Sequence, residues 1–226
     1  MTSQIAMRSS LLLFTVAISG YISTVNAETV TILGRSIQLS PPPDFCTLGN
    51  SPTERKLEQF QRQNTAQAGE LVQLAVPCAE LNDFRTRKIE NFTRWAQVLV
   101  LKQKGQLNTV SAPRTKFVRA VAGRLADSPP DMSAMSARIR DELARTDSLV
   151  SAVTAQPIGA TSEAMFIEVR MTATVGTWTS PVVGVGAITV ANQLPIAVYA
   201  YATPKARGES PVDTARAYLR KVIDFN

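Results

Sequence analysis

Histidine is absent from the 226-residue chain. Its absence removes the imidazole as a general base, Ser-His-Asp and Cys-His nucleophile activation, and most zinc and copper sites. Aromatic residues are few, at 2 Trp, 4 Tyr and 8 Phe, and only 2 cysteines occur. No G-x-S-x-G, S-x-x-K, P-loop or G-x-G-x-x-G pattern is present, and Val183-Gly184-Val185-Gly186 is only half a dinucleotide fingerprint. No catalytic residue, cofactor site or metal site is therefore expected, and these absences argue against an enzyme without excluding one. What is present is globular in character. Hydrophobic residues make up 45% and charged residues 19%, without the bias of disordered, collagenous or coiled-coil chains.

The N-terminus has the order of a cleavable export signal. Arg8 gives a short positive region, Leu11 to Ile18 is apolar, and Val25-Asn26-Ala27 places small residues before Glu28. The apolar run is too short to span a bilayer. Residues 1–27 are thus expected to be a signal peptide and residues 28–226 one exported α+β domain, periplasmic or secreted. In that oxidising setting Cys46 and Cys78 are expected to form one disulfide, worth about 3.7 kcal/mol by the loop-entropy argument.

Local signals divide the domain. Val30 to Leu33 and Ser36 to Leu39 flank Gly34-Arg35 and read as a hairpin, ended by Pro41-Pro42-Pro43. Ser51-Pro52-Thr53-Glu54 opens a helix with a cap, a proline and a capping-box glutamate, and Gly69 is expected to close it near Ala68. Leu71 to Val76 and Trp95 to Leu101 read as buried strands. Ser111 to Leu125 and Asp131 to Arg145 are expected helices, separated by Ser128-Pro129-Pro130. Met165 to Thr174, Val182 to Val190 and Leu194 to Ala202 are expected antiparallel strands, and Ser210-Pro211 opens a final helix with Val212, Ala215, Leu219 and Ile223 inward. The 34 uncharged residues between Arg170 and Lys205 hold Asn192, Gln193 and Pro195 within their best apolar window, so they read as sheet core and not as a transmembrane helix. The fold class is α+β, an antiparallel sheet flanked by helices.

Two stretches carry a resemblance. Leu39 to Cys46 fits L-x-P-P-x-x-F-C, and Val183 to Val190 fits V-G-V-x-A-I-T-V. On these the chain resembles PsbP-like exported proteins and small secreted bacterial proteins. The resemblance implies an antiparallel sheet with flanking helices and an accessory or binding role, and brings no catalytic residues with it.

Charge is unevenly spread. Residues 85–140 hold twelve basic against three acidic side chains, whereas the rest of residues 28–226 is net acidic. Arg85, Arg87, Lys88 and Arg94 sit in and beside one connection between strands, and Lys116 and Arg119 on the polar face of a helix. These six are the candidate surface for an anionic partner, whether envelope lipid, acidic polymer or acidic protein. Nucleic acid is not expected in that compartment. The expected function is a non-catalytic binding or accessory module of the cell envelope. A carboxylate-based hydrolase acting on an envelope polymer and a self-assembling structural component are the alternatives, and the oligomeric state is open. Asn91-Phe92-Thr93 is in addition a glycosylation sequon.

Overall fold

A computed structural model describes residues 27–127, 148–175 and 177–226. In chain order its elements are β1 (Glu28–Ile32), β2 (Arg35–Leu39), β3 (Phe45–Thr47), α1 (Pro52–Thr65), β4 (Gly69–Pro77), α2 (Cys78–Arg85), β5 (Arg94–Gln103), β6 (Gln106–Leu107), α3 (Arg114–Asp127), β7 (Ser148–Ala160), β8 (Met165–Val175), β9 (Trp178–Ala191), β10 (Leu194–Ala202) and α4 (Pro211–Asp224). Strands β3, β4, β5, β10, β9, β8 and β7 lie side by side in one sheet, with β6 paired to β5, and every pairing is antiparallel. β1 and β2 form a separate hairpin. The expected α+β class, an antiparallel sheet with helices against it in a single domain, is what forms.

Strand alternation feeds two cores. Ala96, Val98 and Val100 of β5, with Ile196, Val198 and Ala200 of β10, point to one face, where they meet Ala215, Tyr218, Leu219 and Val222 of α4 and Ile37 and Leu39 of the hairpin. Leu99 of β5 points to the other face, with Leu71 and Leu74 of β4 and the partly buried Trp95, Leu101 and Tyr199. α1 packs against β4, and its Gln61 donates to the Gln97 side chain of β5 at 2.6 Å. The β-bulge between Leu71 and Gln73 breaks the alternation of β4. Val72 joins the α4-side core while Gln73 accepts a hydrogen bond from the Tyr218 hydroxyl. Burial pushes that phenol well above its usual pKa.

Helix boundaries follow local chemistry. Ser51 and Ser210 cap α1 and α4, each followed by proline at the start of the helix. The expected inward face of α4 is observed, with Tyr218 and Val222 buried beside Ala215 and Leu219. Three boundaries differ from expectation. α1 stops at Thr65, and Gly69 opens β4 instead of closing the helix. The reason is steric: a Cβ at Gly69 would lie 2.5 Å from the Val100 carbonyl oxygen, so only glycine lets β4 approach β5 this closely. α3 begins at Arg114, after Pro113, and not at Ser111, since the residue before a proline is driven from helical backbone. α2, β3 and β7 were not expected, and β7 carries Pro157, which argues against a strand in sequence but is tolerated at a sheet edge. The expected helix Asp131–Arg145 and most of the signal segment lie outside the described residues.

Gly184 and Gly186 belong to β9. They face Tyr201 and Tyr199 of β10, and a Cβ at either would come within 2.6 Å of the opposing ring. The half-fingerprint of the sequence is thus a strand that makes room for aromatic side chains. Trp95 and Tyr201 continue the row, with ring centroids 5.0 Å apart and planes 17° apart.

Cys46 and Cys78 are joined, closing a 32-residue separation and tying β3 to the start of α2. Replacing both by serine is expected to lower stability by up to about 4 kcal/mol, read by urea unfolding. Gly69→Ala is expected to cost about 2–3 kcal/mol in the same assay, because a backbone carbonyl cannot move aside as a side chain does.

Candidate functional site

The basic residues around α2 are largely engaged within the fold. Arg85, in the last turn of α2, donates from Nε to Glu54 Oε1 at 3.1 Å and from Nη2 to Oε2 at 2.8 Å. Glu54 is 2% exposed. Its carboxylate also accepts from the Ser51 hydroxyl at 2.8 Å and from the Gly49 N–H. The Arg85 guanidinium and these donors outweigh the desolvation of burial and hold the carboxyl at a pKa of about 2. Arg85 is raised in turn by the same pairing. It is therefore the counter-charge of a buried acid. Lys88 lies 3.3 Å from Asp83 in an exposed ion pair. Arg94 sits over the Phe45 ring at 5.4 Å and packs so closely on Gly208 that a Cβ there would lie 2.8 Å from its Nη1. Arg87 is exposed with φ 59° in the connection that follows α2. That connection is pinned where Thr93 donates from its N–H and its hydroxyl to Glu80, both at 2.6 Å, so the hydroxyl of the sequon is engaged and Asn91 is exposed.

α3 is different. It packs on β7, β8 and β9, with Val118 buried and Phe117, Val121 and Leu125 partly buried. Arg114 donates to the Val190 carbonyl at 2.9 Å and fixes the start of the helix on β9. Lys116, Arg119 and Arg124 are exposed, and among the described residues none of the three makes an ion pair. α2 packs on β3 and β4, at the opposite end of the sheet from the strands under α3. The six candidate residues thus fall into two groups: Arg85, Lys88 and Arg94 are held by partners, whereas Lys116 and Arg119 face solvent, with Arg87 exposed at the far end. Arg124, one of the twelve basic residues of the 85–140 segment, lies two i+4 steps beyond Lys116 and so shares its exposed face, a helical spacing legible in the sequence.

A shallow open pocket of about 300 Å³ lies on β7 and β8, lined by Thr154, Ala155, Gln156, Glu168 and Arg170. Arg170 and Gln156 both donate to Glu168 Oε1, at 2.7 and 3.3 Å. Sequence reasoning missed it because β7 was not read as a strand. Its lining holds one carboxylate, and a hydrolase of the carboxylate type needs two. Among the described residues no group of three or more Cys, Asp or Glu side chains is placed to hold a metal ion, and no helix is long and apolar enough to cross a membrane. No protein-family model and no curated protein matches the chain.

The Glu54 site sets a pH dependence. Its carboxyl is depressed from 4.5 to about 2 in the fold, so the stabilisation is complete above pH 4.5 and is lost as pH falls from there towards 2. Unfolding monitored between those limits is expected to show a loss on the order of 2 kcal/mol, the half-exposed Arg85 reducing the full linkage value. Glu54→Gln is expected to be less stable at neutral pH and to flatten this acid limb.

Proposed function

We propose that the chain is an exported, non-catalytic binding module whose anion-binding surface is the outward face of α3. The observation that carries this reading is the contrast in charge pairing. Arg85 and Lys88 have carboxylate partners and Arg94 is packed on Phe45 and Gly208, while Lys116, Arg119 and Arg124 stand together on one helix with no ion-pair partner among the described residues. Clustered cations without internal partners repel one another and raise the local potential, which an anionic partner relieves. Export is supported by the order of residues 1–27 and by the Cys46–Cys78 bridge, since disulfides persist outside reducing compartments. The reading keeps the accessory role that the PsbP-like resemblance implies and places it in the cell envelope.

Charge reversal separates this surface from the structural cations. Lys116→Glu with Arg119→Glu is expected to abolish binding to anionic vesicles and soluble polyanions while leaving the melting temperature within a few degrees of the parent. Arg85→Glu is expected to do the opposite, lowering the melting temperature by leaving Glu54 buried without its counter-charge. Binding is expected to fade between about 0.1 M and 1 M salt, where the Debye length shrinks from about 10 Å to about 3 Å. Binding indifferent to both salt and the α3 reversal would return these residues to an ordinary solvated face.

A further inference from the structure

We infer that the α3 surface takes a flexible polyanionic chain bearing carboxylate or phosphate groups, laid along a small-residue floor between its cations; this rests on the reading of α3 as the anion-binding face. From Lys116 onward the exposed positions of α3 are Lys116, Arg119, Ala120, Gly123, Arg124 and Asp127. Residues four apart on a helix are surface neighbours, so Ala120 adjoins both Lys116 and Arg124, and Gly123 adjoins Arg119. Ala120 and Gly123, three apart, are neighbours in turn. The result is a floor of two small residues with Arg119 on one side, Arg124 on the other, Lys116 at one end and the exposed carboxylate of Asp127 at the other. The cationic stretch from Lys116 to Arg124 is about 12 Å long at 1.5 Å per residue, and three cations against one acid leave the face net positive. A Cβ built at Gly123 meets nothing within 4 Å among the described residues, which leave the space above the floor open.

The chemistry of this face selects among anions. A helix that lies in a bilayer interface inserts an apolar face. The exposed large apolar side chains of the described residues are Leu33, Ile158 and Phe225, at the hairpin turn, on β7 and after α4, and none is on α3. Interfaces with folded proteins are built around a desolvated core in which aromatic side chains accompany Arg, and the outward face of α3 offers cations and small residues without an aromatic or large aliphatic side chain among the described residues. A charged polymer needs neither. Its binding comes from releasing counterions, and two guanidinium forks suit carboxylate and phosphate oxygens equally.

The test uses the full chain with alginate as the carboxylate polymer, inorganic polyphosphate as the phosphate polymer, and phosphatidylglycerol vesicles as the bilayer. Binding to at least one polymer is expected to exceed vesicle binding, and which polymer binds tighter names the source of the charge. The logarithm of its affinity should fall with the logarithm of salt at a slope of about −2, from three contacts at roughly 0.7 each. Lys116→Gln with Arg119→Gln and Arg124→Gln should remove that slope. Gly123→Leu is the decisive variant. Leucine favours helix over glycine and meets open space, so the melting temperature should hold or rise, yet the filled floor should weaken polymer binding about tenfold by displacing one charge-assisted contact. Unchanged polymer binding by Gly123→Leu overturns the floor while leaving the cationic face standing. Vesicle binding stronger than either polymer overturns the polymer class alone. Binding to all three probes that ignores the triple variant overturns both this inference and the function on which it rests.

Discussion

Two-sided burial of the β5–β10–β9 ladder is the constraint to which every other element answers. β10, late in the chain, lies between β5 and β9, so the N-terminal and C-terminal strands share one sheet. Val98 and Val198, paired across it, are both fully buried. A strand apolar on both faces has to be covered on both, and the single sheet therefore carries α4 with the β1–β2 hairpin on one side and α1 on the other. The hairpin has no ladder to the sheet. It is held by its apolar face and by side chains that stand in for a strand: Asn226 both donates to and accepts from the Gln38 backbone, and Asn192 donates to the Ser36 carbonyl.

Close packing at this ladder leaves little freedom for substitution. Gly69 admits a carbonyl, and Gly184 and Gly186 admit tyrosine rings, each at a separation that a methyl group would violate. Apolar burial contributes on the order of 25 cal/mol per Å², so the large clusters dominate stability while single ion pairs adjust it. Glu54 is the exception among the charges. It is almost wholly buried, and a buried carboxylate without a partner costs several kcal/mol, so Arg85 is committed to it whatever else the surface requires. The same demand does not fall on α3, whose Lys116, Arg119 and Arg124 are exposed and meet no carboxylate among the described residues.

Much of the fold was legible from neighbouring residues. The caps at Ser51 and Ser210, the β1–β2 hairpin and the strands β8 to β10 all rest on signals within about four residues or on alternation along one strand. β7 and α2 were not legible. β7 is broken by Pro157 and by two register shifts, and is a strand because β8 offers it an edge. α2 has eight residues and little periodicity, and it forms where the disulfide and the Arg85–Glu54 pair hold both its ends. Gly69 was misread because the same residue serves as a helix stop or a close approach, and the choice lies with Val100, 31 positions away.

The candidate site divides along the same line. The sequence by itself determined that the chain has no histidine chemistry, that its two cysteines have only each other to pair with, and that its cations cluster between residues 85 and 140. Composition and spacing suffice for these because each is a property of the chain before it folds. Which cations are free was decided by tertiary structure alone. Glu54 and Arg85 are separated by 31 residues and meet at 2.8 Å, whereas Lys116 and Arg119 meet no carboxylate among the described residues. The Coulomb energy of a pair depends on its separation in space and on the water between its charges, and neither is written along the chain.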